Sequence, residues 1–560
     1  MARIIIIGGV AGGMSAATRL RRLSEDAEII VLEAGPHVSF ANCGLPYYAG
    51  EVITDRDQLL LQTPDSLAAR FNLDVRVHAT ATAIDPVAKT VTVRSQASGD
   101  NASPAAQTQD TELTYDALVL SPGASPFVPQ IPGAELALTL RDVTDVDTLV
   151  EQMGQAKSAV ILGGGFVGLE LAENLVHRGL DVSVVELADQ IMAPLDPEMA
   201  AVVTDHLRQH KVSVFTGAQA QEILPNKVVL STGQVLAADI TVAAIGVSPR
   251  GELAAAAGAA MGPRGAIKVN DRMETSLPGI YAVGDAVVKA DWLTAQETLI
   301  PLANIANRQG RLVADVIAQD LGLTQDAGSQ EFQAGEASIG TAVVGLFGMT
   351  AATTGWNEKR LRTQGRQYRA IHTHPLNHAG YYPGAQPMSL KLLVDPETDL
   401  ILGAQGVGGD GVEKRIDVLA TAIAGGITAS RLANLELSYA PQFGSAKDPV
   451  NMLGYVADNL RTGATKAIQW HELEARIQAG AVLVDVRTAA EHGAGSIPGA
   501  INVPLDDLRE RHGELAGKDI IVHCQVGQRG HTAARLLTQL GHSVVNLDGG
   551  WKTWASAHRN

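Results

Sequence analysis

Two cysteines stand in a chain of 560 residues, and their surroundings allow different chemistry. Cys43 lies in SFANCGLPYY; five residues on, where a C-x4-C dithiol would carry its second thiol, stands Tyr48. Cys43 therefore lacks a local disulfide partner, and the chemistry open to it is that of a lone nucleophile exchanging with sulfur brought from outside. Cys524 opens the C-x4-R loop of VHCQVGQRG, between an apolar strand and a helix-like segment. Successive backbone N–H groups and Arg529 can surround an anionic sulfur there, first a thiolate and then a persulfide.

The glycines supply a second kind of chemistry. In AVILGGGFVGLELAENL, Gly163, Gly165 and Gly168 fit G-x-G-x-x-G after an apolar strand and before a helix. That arrangement gives a tight turn, a close backbone approach to a pyrophosphate and a helix N-terminus to stabilise it. Glu186 ends the next strand, VSVVE, 18 residues beyond Gly168, where its carboxylate can accept hydrogen bonds from an adenosine ribose and would repel a 2′-phosphate. LADQIMA after it has no Lys or Arg, so NADH is expected rather than NADPH. An earlier turn, GGVAGG with Gly8, Gly12 and Gly13, departs from the fingerprint because Val10 fills the middle glycine position. Glu33, 20 residues past Gly13, restores a ribose acceptor, and Asp285 in YAVGD offers a second contact to a longer dinucleotide, so FAD is expected.

These residues must be carried by several packed domains. A length of 560 residues with 46% hydrophobic content is ample for three or four. The expected class is α/β: two Rossmann-like dinucleotide-binding domains, a separate mixed α/β domain and a small C-terminal parallel-sheet α/β domain. The expected boundaries are 1–149 and 251–332 for the FAD domain, 150–250 for an inserted NADH domain and 333–455 for the mixed α/β domain. A linker at 456–466 and a last domain at 467–560 complete the chain. TSLPGIYAVGDAV at 275–287 should return the chain to the first nucleotide fold, and the polar stretch 95–112 reads as a solvated loop. A net charge of −17 argues against a nucleic-acid or anionic-membrane partner. No apolar run reaches bilayer length, the start reads as a first strand, and two unpaired cysteines suit a reducing cytoplasm. No metal centre is expected.

The Gly8 turn, SFANCGLPYY, the Gly163 turn, AIGVSP, TSLPGIYAVGDA, LANIANRQGR and YAPQFGSAKDPVN together resemble the single-cysteine branch of the FAD- and pyridine-nucleotide-dependent disulfide oxidoreductases. The resemblance covers about residues 1–455 and is nearest to the coenzyme A disulfide reductases, whose rhodanese-fused forms reduce persulfides with NADH. VLVDVRTAAEH, GSIPGAINVPL, VHCQVGQRGHTAARLL and NLDGGWKTW, in that order, resemble a rhodanese domain. The two resemblances imply that 333–455 is an α/β dimerisation domain and 467–560 a C-terminal rhodanese α/β domain. Its Cys524–Arg529 loop is one residue shorter than that of phosphatase relatives, which favours sulfur transfer; Asp485, Arg487 and Glu491 are expected to brace the fold.

By this resemblance, Leu302 and Ala303 begin a helix directed at the flavin pyrimidine, and Phe166 covers the nicotinamide side of the ring. Coenzyme A or the outer sulfur of a persulfide is the borrowed partner of Cys43. Tyr439 and either Tyr381 or Tyr382 reach the cysteine across a homodimer interface to protonate the leaving thiolate. Arg19 and Arg22 meet coenzyme A phosphates, with Ser39 and Asn42 beside the cysteine. Small persulfides or polysulfide, or a protein persulfide donor, are the expected sulfur partners. Two alternatives are a sulfurtransferase with a redox-sensing flavin half, and an NADH oxidase or peroxidase working through a sulfenic acid. The second is disfavoured because Ala11 stands where those relatives carry a histidine.

Overall fold

Positions 4–7 are all isoleucine and all buried, with alternate side chains entering two different cores. That is the signature of a parallel strand covered on both faces. In the computed structural model, which describes residues 1–95, 109–323 and 337–558, Arg3–Ile7 is central in a five-stranded parallel sheet. The order is Ile280–Ala282, Ala117–Leu120, Arg3–Ile7, Glu28–Leu32, Asp74–Arg76. One face is covered by the helices Ala11–Leu23 and Ala303–Asp320, through Met14, Ala17, Leu20, Val313 and Ile317. The two helices touch at Gly12 and Gly310, where a Cβ on Gly310 would lie 2.3 Å from the Gly12 carbonyl oxygen. A second parallel fold follows, with Ser158–Leu162 between Asp181–Val185 and Ile240–Ala243. The strand at 280–282 then rejoins the first sheet, so the first nucleotide fold is discontinuous in sequence.

The chain divides into two units, Met1–Val185 with Ala218–Ser338, and Glu186–Gly217 with Ile339–Asn560. The second unit holds a five-stranded antiparallel sheet of order Ala342–Leu346, Met349–Gly355, Ile401–Gly408, Met388–Val394, Arg369–Thr373. Helices Pro197–Gln209 and Val412–Ala424 pack on it. It also holds a parallel sheet of order Ala467–Ile468, Ser543–Leu547, Asp519–His523, Val482–Asp485, Ile501–Asn502.

Lys391 lies in the fully buried strand Met388–Val394 with no exposure at all. Its Nζ is 2.9 Å from Asp196 and 2.6 Å from Glu358, and it also meets Glu198. Burial disfavours its charge, but the three carboxylates outweigh that and hold it protonated. Removing one partner of such a buried group costs about 3–5 kcal/mol.

Two expectations need correction. Residues 96–108 of the polar stretch lie outside the described residues, but Gln109–Thr114 is a strand, antiparallel to Thr90–Ser95. The partner strand brings the buried Val91 and Val93, so QDTELT needs little apolar character of its own. The stretch 456–466 read as a linker is helical as far as Arg461, because the helix Pro449–Arg461 continues through it. Asp448 caps that helix in a capping box with Asn451, a start signal that fixes its register. Among the described residues no helix is long and apolar enough to cross a membrane.

Candidate active sites

The first glycine turn is packed throughout, whereas the second divides its glycines between packing and access. A Cβ on Gly8 would meet Ser121 O at 2.1 Å, and one on Gly13 would meet Gly8 O at 1.9 Å, so the fold itself requires both. The same holds for Gly163 and Gly168, at 2.4 Å from Ala244 O and 2.1 Å from Gly163 O. A Cβ on Gly165 would meet no protein atom within 4 Å. The space over Gly165 lies at the start of helix Phe166–His177, which has no side-chain cap and no acidic residue in its first turn. This is the cradle a pyrophosphate needs. Helix Ala11–Leu23 likewise starts without a side-chain cap or acidic first turn.

Glu33 is held by the turn it serves, accepting from Gly9 N and Gly35 N, each at 2.9 Å. A carboxylate keeps acceptor capacity after two such bonds, so Glu33 can still accept from a further hydroxyl. Asp285 is half-buried, with its Oδ1 atom buried and unpartnered, and burial, only partly offset by Lys289, holds its carboxyl above the usual range. An orphaned buried acceptor fits a polar group brought by a cofactor. Helix Ala303–Asp320 starts directly after Leu302, again without a side-chain cap. The lone acceptor, the open space over Gly165 and the uncapped helix starts together fit FAD and NADH. Glu186 follows the strand Asp181–Val185 directly and accepts from Ala188 N at 2.9 Å.

Cys43 is exposed, in the short turn Asn42–Gly44 ahead of helix Leu45–Ala49. Partial enclosure of the thiol, followed by the charges of Glu170 and Asp285, holds it above the ordinary cysteine value. Glu170 comes from the Gly163-turn helix and accepts from Tyr47 Oη at 3.3 Å. Burial raises Glu170 as well, and burial then Glu170 push Tyr47 up to about 12. Sequence reasoning missed this Tyr47–Glu170 pair. The one signal for it was an acidic residue in the second turn of an otherwise apolar helix. Asn42 donates from Nδ2 to Arg141 O at 2.8 Å, and Ser39, at φ 49°, donates from its backbone to Gly9 O. Arg22 is exposed, whereas Arg19 is engaged by Asp315 at 2.7 Å, so a phosphate would have to compete for it.

In the second unit, Tyr381 and Tyr439 are exposed and their hydroxyls lie 2.8 Å apart. That bond raises Tyr439 above the ordinary phenol value. Tyr382 instead meets the His378 ring edge-on at 5.7 Å. The tyrosine loops are pinned by the buried Arg415, which donates to Asn377 O and Asp448 Oδ2, each at 2.9 Å.

Cys524 is fully buried at the end of strand Asp519–His523, ahead of helix Gln528–Gln539. Gly527 takes φ 91°, a left-handed turn that wraps the loop and brings the first, intrahelically unpaired N–H groups toward one spot. Arg529 is gripped by Glu491 at 2.8 and 2.5 Å, and Cys524 is among the groups that hold it charged. Glu491 therefore braces the loop arginine itself, which draws its carboxyl down to about 2. Asp485 forms a buried pair with Arg487, whose guanidinium lies over the Trp551 ring and donates to Gln525 at 3.1 Å. Behind the loop, Trp551 N donates to Cys524 O at 2.8 Å and Lys552 N to Gln525 O at 3.0 Å.

A paired dinucleotide fold with one accessible thiol, and a cysteine loop backed by an arginine on its own parallel sheet, define a nicotinamide-dependent thiol oxidoreductase with an appended sulfur-handling domain. Residues 2–310 match the family Pyridine nucleotide-disulphide oxidoreductase, residues 341–449 its dimerisation domain and residues 469–557 the Rhodanese-like domain. The chain belongs to the pyridine nucleotide-disulphide oxidoreductase family. It is 32% identical over 462 residues to the coenzyme A disulfide reductase of Staphylococcus haemolyticus, covering 82% of this chain and 100% of that one. Among solved structures it is similar to reduced Bacillus anthracis CoADR-RHD, at 45% identity and TM-score 0.93, covering 99% of this chain and 98% of that one. It is also similar to an NAD-dependent persulfide reductase from A. fulgidus, at 36% identity and TM-score 0.89, covering 99% and 100%.

Proposed function

We propose that this enzyme uses NADH to reduce persulfide or coenzyme A disulfide sulfur at Cys43, and that its rhodanese-like domain transfers sulfur at Cys524. The observation that carries the reading is that Cys43 is a free, exposed thiol, while Cys524 is free and buried. A free, accessible thiol of this kind is open to exchange with sulfur carried by a substrate. Similarity to a coenzyme A disulfide reductase and to a persulfide reductase supports both substrate classes.

The chemistry supplied when FAD is bound is delivery of two electrons from NADH to sulfur. Cys43 thiolate attacks the outer sulfur of a persulfide RSSH, the S–S bond breaks, and RSH leaves once its thiolate is protonated. Two electrons then cleave the Cys43 persulfide to release hydrosulfide and restore the thiolate. The net change is RSSH + NADH → RSH + HS⁻ + NAD⁺. Partial enclosure, then the charges of Glu170 and Asp285, raise the Cys43 thiol above its ordinary value. The Tyr381–Tyr439 pair, supplied across the interface of a homodimer, is suited to donating the proton to the leaving thiolate. Coenzyme A would be held by Arg22 and Arg19, with Ser39 and Asn42 beside the thiol. A reducing cytoplasm suits both free thiols. An oxidase reading is less well supported, because Ala11 offers no basic side chain to manage protons on a peroxide.

Cys43→Ser should retain bound flavin and its reduction by NADH while losing persulfide and coenzyme A disulfide reduction by at least about a thousandfold. Rapid-mixing absorbance and hydrosulfide release measure the two separately. Persulfide turnover near the unmodified rate in this variant would refute the role of Cys43.

A further inference from the structure

The strand Arg369–Thr373 belongs to the antiparallel sheet of the dimerisation region, yet His372 on it faces the rhodanese-like domain. The ring is fully buried. Its Nδ1 lies 2.6 Å from Asp548 Oδ2 and its Nε2 lies 3.0 Å from Glu198 Oε1, on helix Pro197–Gln209. Its backbone N–H donates to the same Asp548 oxygen at 2.9 Å. Two buried carboxylates on opposite ring nitrogens require both nitrogens to be donors, which only the imidazolium provides.

Asp548 immediately precedes Gly549 and Gly550, both left-handed at φ 66° and 61°. A Cβ on Gly549 would lie 2.9 Å from His372 Cβ, and one on Gly550 would lie 2.4 Å from Cys524 O. One face of this turn therefore touches the histidine and the other touches the sulfur-transfer loop. The next residues donate to Cys524 O and Gln525 O. His374, just past the same strand, adds a bond of 2.8 Å to Thr553, and helix Gly550–Ala557 packs on helix Pro197–Gln209. Gln469 donates to Asp548 at 3.2 Å and to Ala370 O at 2.9 Å.

We propose that His372 is a positioning residue for sulfur transfer: clamped between Asp548 and Glu198, it presses the Gly549–Gly550 turn against the backbone of Cys524 and so sets the loop from outside its own domain. The inference rests on Cys524 being the sulfur-transfer cysteine. The groups facing His372 are Asp548, Glu198 and Lys391, with Asp196 and Glu358 behind the lysine, and His374, which itself faces Lys552. Burial opposes its charge, but the bonds to Asp548 and Glu198 outweigh that and raise it to about 9. Burial, then Lys552 and His372, keep His374 neutral. Because the folded value lies above the ordinary 6.5, the clamp is fully present below that value and is lost as pH rises through about 9.

The test uses the full-length, FAD-loaded enzyme. Thiosulfate transfers its outer sulfur to the Cys524 thiolate and leaves as sulfite, and the protein gains the mass of one sulfur. The rate of that gain is followed from pH 7 to 10, together with amide exchange of the segment 545–556. His372→Ala should slow sulfur loading about ten- to a hundredfold with little change in half-saturating thiosulfate, and should speed exchange. His372→Gln should restore part of the rate at neutral pH. Relative to His372→Gln, the unmodified enzyme should lose rate and protection as pH passes about 9. Flavin reduction by NADH should be unchanged in both variants. Unmodified rates and exchange in both variants, or a ratio of enzyme to His372→Gln that is flat through pH 9, would overturn the proposal. If His372→Ala does not fold, the pH dependence of the unmodified enzyme and His372→Gln decides. Sulfur loading of a Cys524→Ser variant would instead defeat the reading of Cys524, leaving the exchange comparison to judge the clamp.

Discussion

At the scale of single residues, the proton donor proposed for the leaving thiol is open to direct test. Tyr381 and Tyr439 share one hydrogen bond, so one phenol polarises the other and a single proton can be offered at an exposed site. Tyr439→Phe removes both the shared bond and a donor. It should slow sulfur reduction by about a hundredfold or more while flavin reduction by NADH proceeds unchanged, as rapid-mixing absorbance would show. Equal slowing of both steps would make Tyr439 a structural residue only. Cys43, Cys524 and Arg529 were legible in the sequence because a lone thiol in a glycine-flanked turn and a C-x4-R loop are local patterns. The choice of Tyr381 over Tyr382 as the partner of Tyr439 was not legible. Their side chains leave the backbone in different directions, and one reaches a loop 58 residues away while the other meets His378. Tyr47 with Glu170, 123 residues apart, was hidden for the same reason.

At the scale of elements, each nucleotide turn is a strand, a bend and an uncapped helix start, and the residue ending the next strand sets which nucleotide fits. Glu186 occupies that place and its carboxylate would meet a 2′-phosphate with like charge. Glu186→Arg should lower kcat/KM for NADH and raise it for NADPH, shifting the ratio about a hundredfold or more, read from initial rates with each nucleotide. An unmodified enzyme that already prefers NADPH would contradict the ribose argument. These turns were readable because apolar period and glycine spacing coincide. Gln109–Thr114 was not readable as a strand, since its pairing is supplied by the buried residues of its neighbour. Nor was the helix running to Arg461, because its start signal, the Asp448 cap, stands well before the 456–461 segment.

At the scale of the whole molecule, two thiols with different surroundings sit in one chain, one exposed and one buried. Cys524→Ser should abolish sulfur transfer from thiosulfate yet spare reduction of a small persulfide able to reach Cys43 directly, with coenzyme A persulfide as the probe. A protein-borne persulfide that must pass through Cys524 should lose turnover by about tenfold or more. Hydrosulfide release with each donor separates the outcomes, and unchanged turnover of every donor would make the last domain a passenger. The order of domains was legible, since each announces itself by local motifs. The way His372 and Asp548 meet across 176 residues was not, because a buried ion pair is chosen by packing and leaves no periodic trace.

Asp196, Glu198 and Glu358 offer oxygen atoms within 4.8 Å of one another, a spacing that elsewhere would suit a divalent ion. In this protein the cation at their centre is the ammonium of Lys391, attached to the backbone. A counter-ion written into the chain is present at fixed stoichiometry from the moment of synthesis. The integrity of this core is thereby uncoupled from the mineral content of the surrounding solution, and its neutralisation is inherited with the gene.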